Sequence, residues 1–148
     1  MIKKYSFWFK DAIALQFVTG IFHLLSFLSK PEPKNDSEKQ LFDLMTNYRF
    51  DLGSGFLRSM EDLMNSFSIA FALLLFFSGI LNLFLLKSNL SNKIMKGIIL
   101  INLFTYLICF VAMCLLTFLP PIICTGLIVI ALLTSYLILR GDGANQKA

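Results

Sequence analysis

The chain has 148 residues, 57% of them hydrophobic and only 15% charged, with a mean hydropathy of +0.74. Soluble domains carry roughly 25% charged residues, so this composition excludes an ordinary water-soluble domain and points to a bilayer as the first partner. The formal net charge of +4 does not mark a nucleic-acid binder, because the basic residues flank apolar segments instead of forming a basic, aromatic-interleaved surface.

The first apolar segment runs from Ala12 to Leu28 and, with Phe7-Trp8-Phe9 as interfacial aromatics, predicts a span over residues 8–29. Met1-Ile2-Lys3-Lys4 resembles the basic start of a signal peptide. Lys10 and Asp11 interrupt the apolar run, however, and no small-x-small site precedes Lys30, so a retained helix is the expectation. Residues 30–59 form the elaborated surface. The stretch from Lys30 to Asp62 holds seven of the nine acidic residues.

Pro31 and Pro33 end the first helix, and Ser37 with Gln40 reads as a capping box. Leu41, Phe42, Leu44, Met45 and Tyr48 then fall on one helical face, with Glu38, Lys39, Asp43 and Asn47 on the other. This is the pattern of an interfacial amphipathic helix. Gly53-Ser54-Gly55 breaks it. Further spans are predicted over residues 60–86, 97–119 and 121–139, the last two joined by Pro120-Pro121 as a tight antiparallel turn. The polar tail, residues 141–148, is expected to be disordered.

These elements predict an all-α, polytopic four-helix bundle forming a single membrane domain over residues 1–148. Its amphipathic helix would be extracytoplasmic. Across the predicted boundaries, eight basic and two acidic residues fall on the side of the termini and the middle loop, and five basic and seven acidic residues on the other. The positive-inside rule then makes both termini cytoplasmic in a multi-pass protein of the cell (inner) membrane.

Polar side chains inside a membrane are costly and usually face the bundle interior, so they mark candidate inner surfaces. Gln16, Thr19, Gly20 and His23 recur at helical spacing, and Arg58, Asp62, Asn65 and Ser66 share a face that continues to Ile69. Counting helix rise from the expected surface puts His23 level with Asn65. The candidate ligand-binding residues are therefore His23, Arg58, Glu61, Asp62 and Asn65, lidded by the amphipathic helix with Tyr48 and Arg49. A separate inner polar layer is expected from Gln16, Asn82, Asn102 and Thr105. Each group has a structural alternative: acids favour helix starts, Arg58 can pair with Asp62 at i,i+4, and intramembrane amides often only bridge neighbouring helices.

One histidine and three dispersed cysteines supply neither a metal set nor a Cys-x-x-Cys redox pair. No metal, cofactor or catalytic residue is assigned. Cys114 and Cys124 come to similar depth across the turn, where free packing is expected over a disulfide.

The layout of one helix, an extended segment and three tightly connected helices resembles the small four-helix bacterial membrane proteins of the DoxX-like kind. Tyr48-Arg49-Phe50-Asp51-Leu52-Gly53, followed by Arg58-Ser59 and Asp62-Leu63, is similar to a segment of other bacterial four-helix proteins. A more distant similarity of layout, to the emopamil-binding type of bundle, implies a sterol-like amphiphilic ligand, although the acidic residues of that family find no clear match here. The leading expectation is a non-enzymatic membrane protein with a polar-mouthed cavity for a lipid-like or other small amphiphile. The alternatives are an accessory subunit with a membrane-protein partner or a homo-oligomer, and a membrane enzyme using His23 and Asp62 on a lipid substrate.

Overall fold

The structure, a computed structural model, describes residues 4–25, 32–51 and 53–145, with side chains as far as Gly141. Five helices and one short ribbon follow in order: α1 (Tyr5–Leu25), α2 (Asp36–Asn47), β1 (Phe50–Asp51), β2 (Leu57–Arg58), α3 (Met60–Lys87), α4 (Asn92–Leu116) and α5 (Leu119–Asn145). Three of them, α3, α4 and α5 as far as Gly141, are long and apolar enough to cross a membrane. Their outward side chains include Phe67, Ile101 and Leu115, at 69%, 68% and 77% exposure. A surface of large apolar groups on helix after helix suits a hydrocarbon solvent and would aggregate in water.

Over its described residues α1 is not among those three helices. Lys10, Asp11, Gln16 and His23 dilute its apolar character, and the rest of the predicted span, residues 26–29, lies outside the described residues.

Packing divides the chain into two units, one of Met1–Thr19 with Leu75–Ala148 and the other of Gly20–Leu74. In the first, α4 packs against α5. Buried Phe9, Ala12 and Ile13 come from α1, Leu75 from α3, Met95, Ile99 and Tyr106 from α4, and Ile128, Ala131, Leu132 and Leu139 from α5. Small residues set the close approaches. A Cβ at Gly79 would lie 2.9 Å from Cε2 of Phe17, and one at Gly126 would lie 3.1 Å from Cε2 of Phe110.

The Ser135 hydroxyl donates to the carbonyl of Tyr5 at 2.9 Å, tying α5 to the start of α1. Lys96 Nζ lies 5.6 Å from the Tyr136 ring centroid.

Several boundaries differ from the sequence reading. The turn between α4 and α5 falls at Thr117-Phe118, and Pro120-Pro121 sit in the first turn of α5. A missing N–H is harmless there, because first-turn amides have no intrahelical acceptor. Helix α5 also continues to Asn145, into residues expected to be disordered, while 146–148 lie outside the described residues.

In the second unit the cap of α2 is Asn35 in place of Ser37. The Asn35 side chain accepts from the Glu38 N–H at 2.9 Å, and Glu38 Oε2 accepts from the Lys34 N–H at 2.7 Å. Asn caps as well as Ser does, and this register puts an anionic Glu38 at the positive helix end.

Candidate functional site

The residues leading into α3 are held by three local devices. First, β1 and β2 pair antiparallel, with Phe50 opposite Arg58 and Asp51 opposite Leu57. Gly53, Ser54 and Gly55 all have positive φ in the connecting turn. Two glycines adopt that conformation without a steric penalty, and Ser54 is carried along with them. The Asp51 side chain accepts from the Gly53 N–H at 2.9 Å and closes the turn. The ribbon thereby delivers Arg58 to the start of the helix.

Second, Ser59 and Asp62 form a reciprocal cap. The Asp62 N–H donates to Ser59 Oγ at 3.1 Å, and the Ser59 N–H donates to Asp62 Oδ2 at 3.0 Å. Ser59 is 2% exposed. The S-x-x-D spacing before an apolar run is the sequence signature of this cap and could have located it without a structure.

Third, the end of α2 is tied to the start of α3. Arg49 Nη1 donates to Asp62 Oδ2 at 2.6 Å, and Thr46 Oγ1 donates to Glu61 Oε2 at 2.8 Å. Asp62 Oδ2 is thus shared by a guanidinium and a backbone amide.

Beside this framework lies an open groove of about 370 Å³ lined by Arg58, Asp62, Leu63, Asn65, Ser66 and Ile69. That volume is at the lower end of the range for small-molecule sites. Asp62, Asn65, Ser66 and Ile69 recur at three- and four-residue spacing and so share one face of α3. From Asp62 to Ile69 the groove extends about 10 Å along the helix, from charged to apolar lining. Ile69 and Leu73, one turn further, are both exposed.

Within the groove, Arg58 is not paired with Asp62, the i,i+4 alternative raised by the sequence. Its Nη1 donates to the Leu57 carbonyl at 3.1 Å, and its guanidinium lies 5.9 Å from the Phe56 ring centroid. Asp62 takes Arg49 instead. Arg58 belongs to β2 and not to α3, so the helical i,i+4 geometry on which that pairing depends does not hold.

The remaining candidates fall outside the groove lining. His23 packs edge-on against Phe71 with ring centroids 4.8 Å apart. Phe71 lies about 9 Å of helix rise beyond Asn65, so the ring contact sets His23 deeper along α3 than rise-counting implied. Tyr48 caps the C-terminus of α2 and stacks edge-on with Phe50 at 5.0 Å. Arg49 and Glu61 act as ties between elements. Helix α2 has no buried residue, and its Leu41 and Leu44 are exposed at 52% and 62%.

The expected inner layer forms in the first unit for three of its four members. Asn82 and Asn102 exchange amide hydrogen bonds, Nδ2 of each to Oδ1 of the other, at 2.8 and 3.1 Å. Asn82 Nδ2 also approaches Gln16 Oε1 and Ser78 Oγ, each at 3.4 Å. Asn102 Nδ2 donates to the Ile98 carbonyl at 2.9 Å. That carbonyl can only accept, which fixes the orientation of Asn102, then of Asn82, and then of Gln16. Gln16 consequently presents its oxygen to the network, and its buried Nε2 has no acceptor among the described residues. Thr105 does not join: its hydroxyl donates to the Ile101 carbonyl one turn back.

Among the described residues no group of three or more His, Cys, Asp or Glu side chains could hold a metal, and Cys109, Cys114 and Cys124 are all free thiols. No family model, curated protein or solved structure matches the chain.

Proposed function

We propose that this chain is an integral membrane protein whose groove at the start of α3 binds a lipid-like amphiphile without transforming it. The observation that carries the reading is the succession along one groove, from Arg58 and Asp62 at one end, past Asn65 and Ser66, to Ile69 at the other. A ligand with a polar head and an apolar body matches such a lining, since apolar walls supply contact area and a few polar groups fix orientation.

In this reading α1 is the fourth span, in a four-helix arrangement with both termini cytoplasmic in the cell membrane, because the basic residues flank the ends assigned to that side. The start of α3 then opens at the extracytoplasmic surface. Helix α2, with its apolar face of Leu41 and Leu44 uncovered, lies in the interface beside it.

The test is the lipid that accompanies the protein through gentle detergent purification, quantified by mass spectrometry. Ser66→Trp fills the groove and is expected to remove most of the bound lipid. Phe104→Trp, at an exposed apolar position outside the groove, is expected to retain it. Equal lipid loads in wild type and Ser66→Trp would overturn the proposal.

A further inference from the structure

We infer that the groove recognises the phosphate of a phospholipid headgroup, with Arg58 as its principal ligand; this rests on the amphiphile reading above and narrows the ligand class. Several polar atoms lining the groove are already committed within the protein. Asp62 lines the groove, but its Oδ2 already accepts from Arg49 and from the Ser59 amide. Its charge is therefore compensated by Arg49, 2.6 Å away.

Ser66 spends its only hydroxyl hydrogen on the Asp62 carbonyl at 2.8 Å. The cap between Ser59 and Asp62 also occupies backbone amides at the helix start. Asp62 Oδ1 is left as an acceptor, with the carboxylate charge held by Arg49, and the other uncommitted groups are donors. Of the five N–H donors of a guanidinium, Arg58 gives one Nη1 bond, to the Leu57 carbonyl. The side-chain amide of Asn65 makes no hydrogen bond among the described residues and adds two more donors.

A cation with a planar fork of donors beside a second donor group complements a tetrahedral oxyanion, and the guanidinium matches phosphate better than an ammonium does. A neutral sterol-like ligand would leave Arg58 facing an apolar molecule. That forfeits its hydration with nothing gained in return. The phosphate therefore sits at the Arg58 end, and the acyl chains leave past Ile69 toward the exposed Leu73 on the same face of α3.

The chemistry alone would also admit a water-soluble phosphate ester. The apolar exit along Ile69 favours the lipid, and the experiment separates the two. Full-length protein in detergent is titrated with phosphatidylglycerol, with diacylglycerol of the same chains, and with glycerol-3-phosphate as a soluble competitor. Binding is read by native mass spectrometry.

Phosphatidylglycerol is expected to bind about tenfold more tightly than diacylglycerol, the scale of one charge-assisted hydrogen-bond set. Arg58→Gln should abolish that difference and Arg58→Lys should keep part of it. Asn65→Leu should reduce it about threefold, as loss of a neutral donor. Arg58 lies on the exposed ribbon, so its variants are expected to fold; an unchanged unfolding midpoint checks this.

Equal affinity for the two lipids, unchanged by Arg58→Gln but lost in Ser66→Trp, would overturn the phosphate assignment while leaving the groove intact. Binding unaffected by Ser66→Trp would overturn both. Competition by glycerol-3-phosphate at the concentrations of the lipid would reassign the site to a soluble ester and overturn the lipid assignment.

Discussion

Two polar regions interrupt this apolar chain, and they spend their hydrogen-bonding capacity in opposite ways. In the layer of Gln16, Asn82 and Asn102, the amides are turned on one another, with the reciprocal Asn82–Asn102 pair at its centre. At the start of α3, by contrast, Asp62 Oδ2 is taken by the cap and by Arg49 and Glu61 Oε2 by Thr46, while Arg58 and Asn65 keep donors open to a groove. A buried layer that satisfies itself holds helices together. An exposed cluster that leaves donors over is equipped to bind something else. Polarity in a membrane segment is therefore a weaker sign of function than polarity left unspent.

The largest test of this contrast is Asn82→Leu. It removes the hub of the buried layer and leaves Gln16 Oε1 and one side of Asn102 unpaired, so stability in detergent should fall by about 1–2 kcal/mol, the upper part of the range for hydrogen bonds between membrane helices. The measurement is the chemical unfolding curve. Adding Asn102→Leu should cost less than the sum of the two single changes, because the orphaned partner is removed as well. Lipid retention in the groove should not change. If it fell, the two regions would not be functionally separate.

Ser59→Ala should come next, costing about 1 kcal/mol as a lost N-cap. It orphans the Asp62 N–H, while the backbone amide of residue 59 still donates to Asp62 Oδ2, so phospholipid affinity should stay close to that of the wild type. Stability and affinity measured on the same preparation check both effects.

Arg49→Ala should have the smallest effect on stability, because both partners are about half exposed and the pair is screened. Its effect on binding should exceed its effect on folding. With Arg49 gone, the charge of Asp62 is uncompensated and opposes an anionic headgroup, most strongly at low salt. An affinity for phosphatidylglycerol that rose on removing Arg49 would contradict the charge assignment.

Much of the candidate groove was legible before the structure. Arg58, Asp62, Asn65, Ser66 and Ile69 were placed on one face from spacing alone, and these residues, with Leu63, form its lining. For the members on α3 the face is local, set by the helical period, which is why periodicity reaches it; Arg58 comes to the groove from the ribbon instead. The reading of His23 beside Asn65 failed for the complementary reason. Rise-counting fixes depth along each helix from an assumed surface, but the offset between helices comes from side-chain packing, here the contact of His23 with Phe71.

The hairpin at Gly53-Ser54-Gly55 was read only as a break, since two residues per strand carry no detectable alternation. The spacing of Ser59 to Asp62 carries the cap signature in the sequence itself.

By itself the sequence determined the apolar character, the helical class, three of the four predicted membrane-length helices and most of each polar face, because composition and period are local properties of the chain. Which donors and acceptors find one another was decided only by the tertiary structure. Asp62 could have paired with Arg58 or Arg49, and Asn82 with any amide at its depth. Such choices turn on differences of a fraction of an ångström between elements far apart in sequence. They settle that Arg49 is spent on Asp62 and that Arg58 is not.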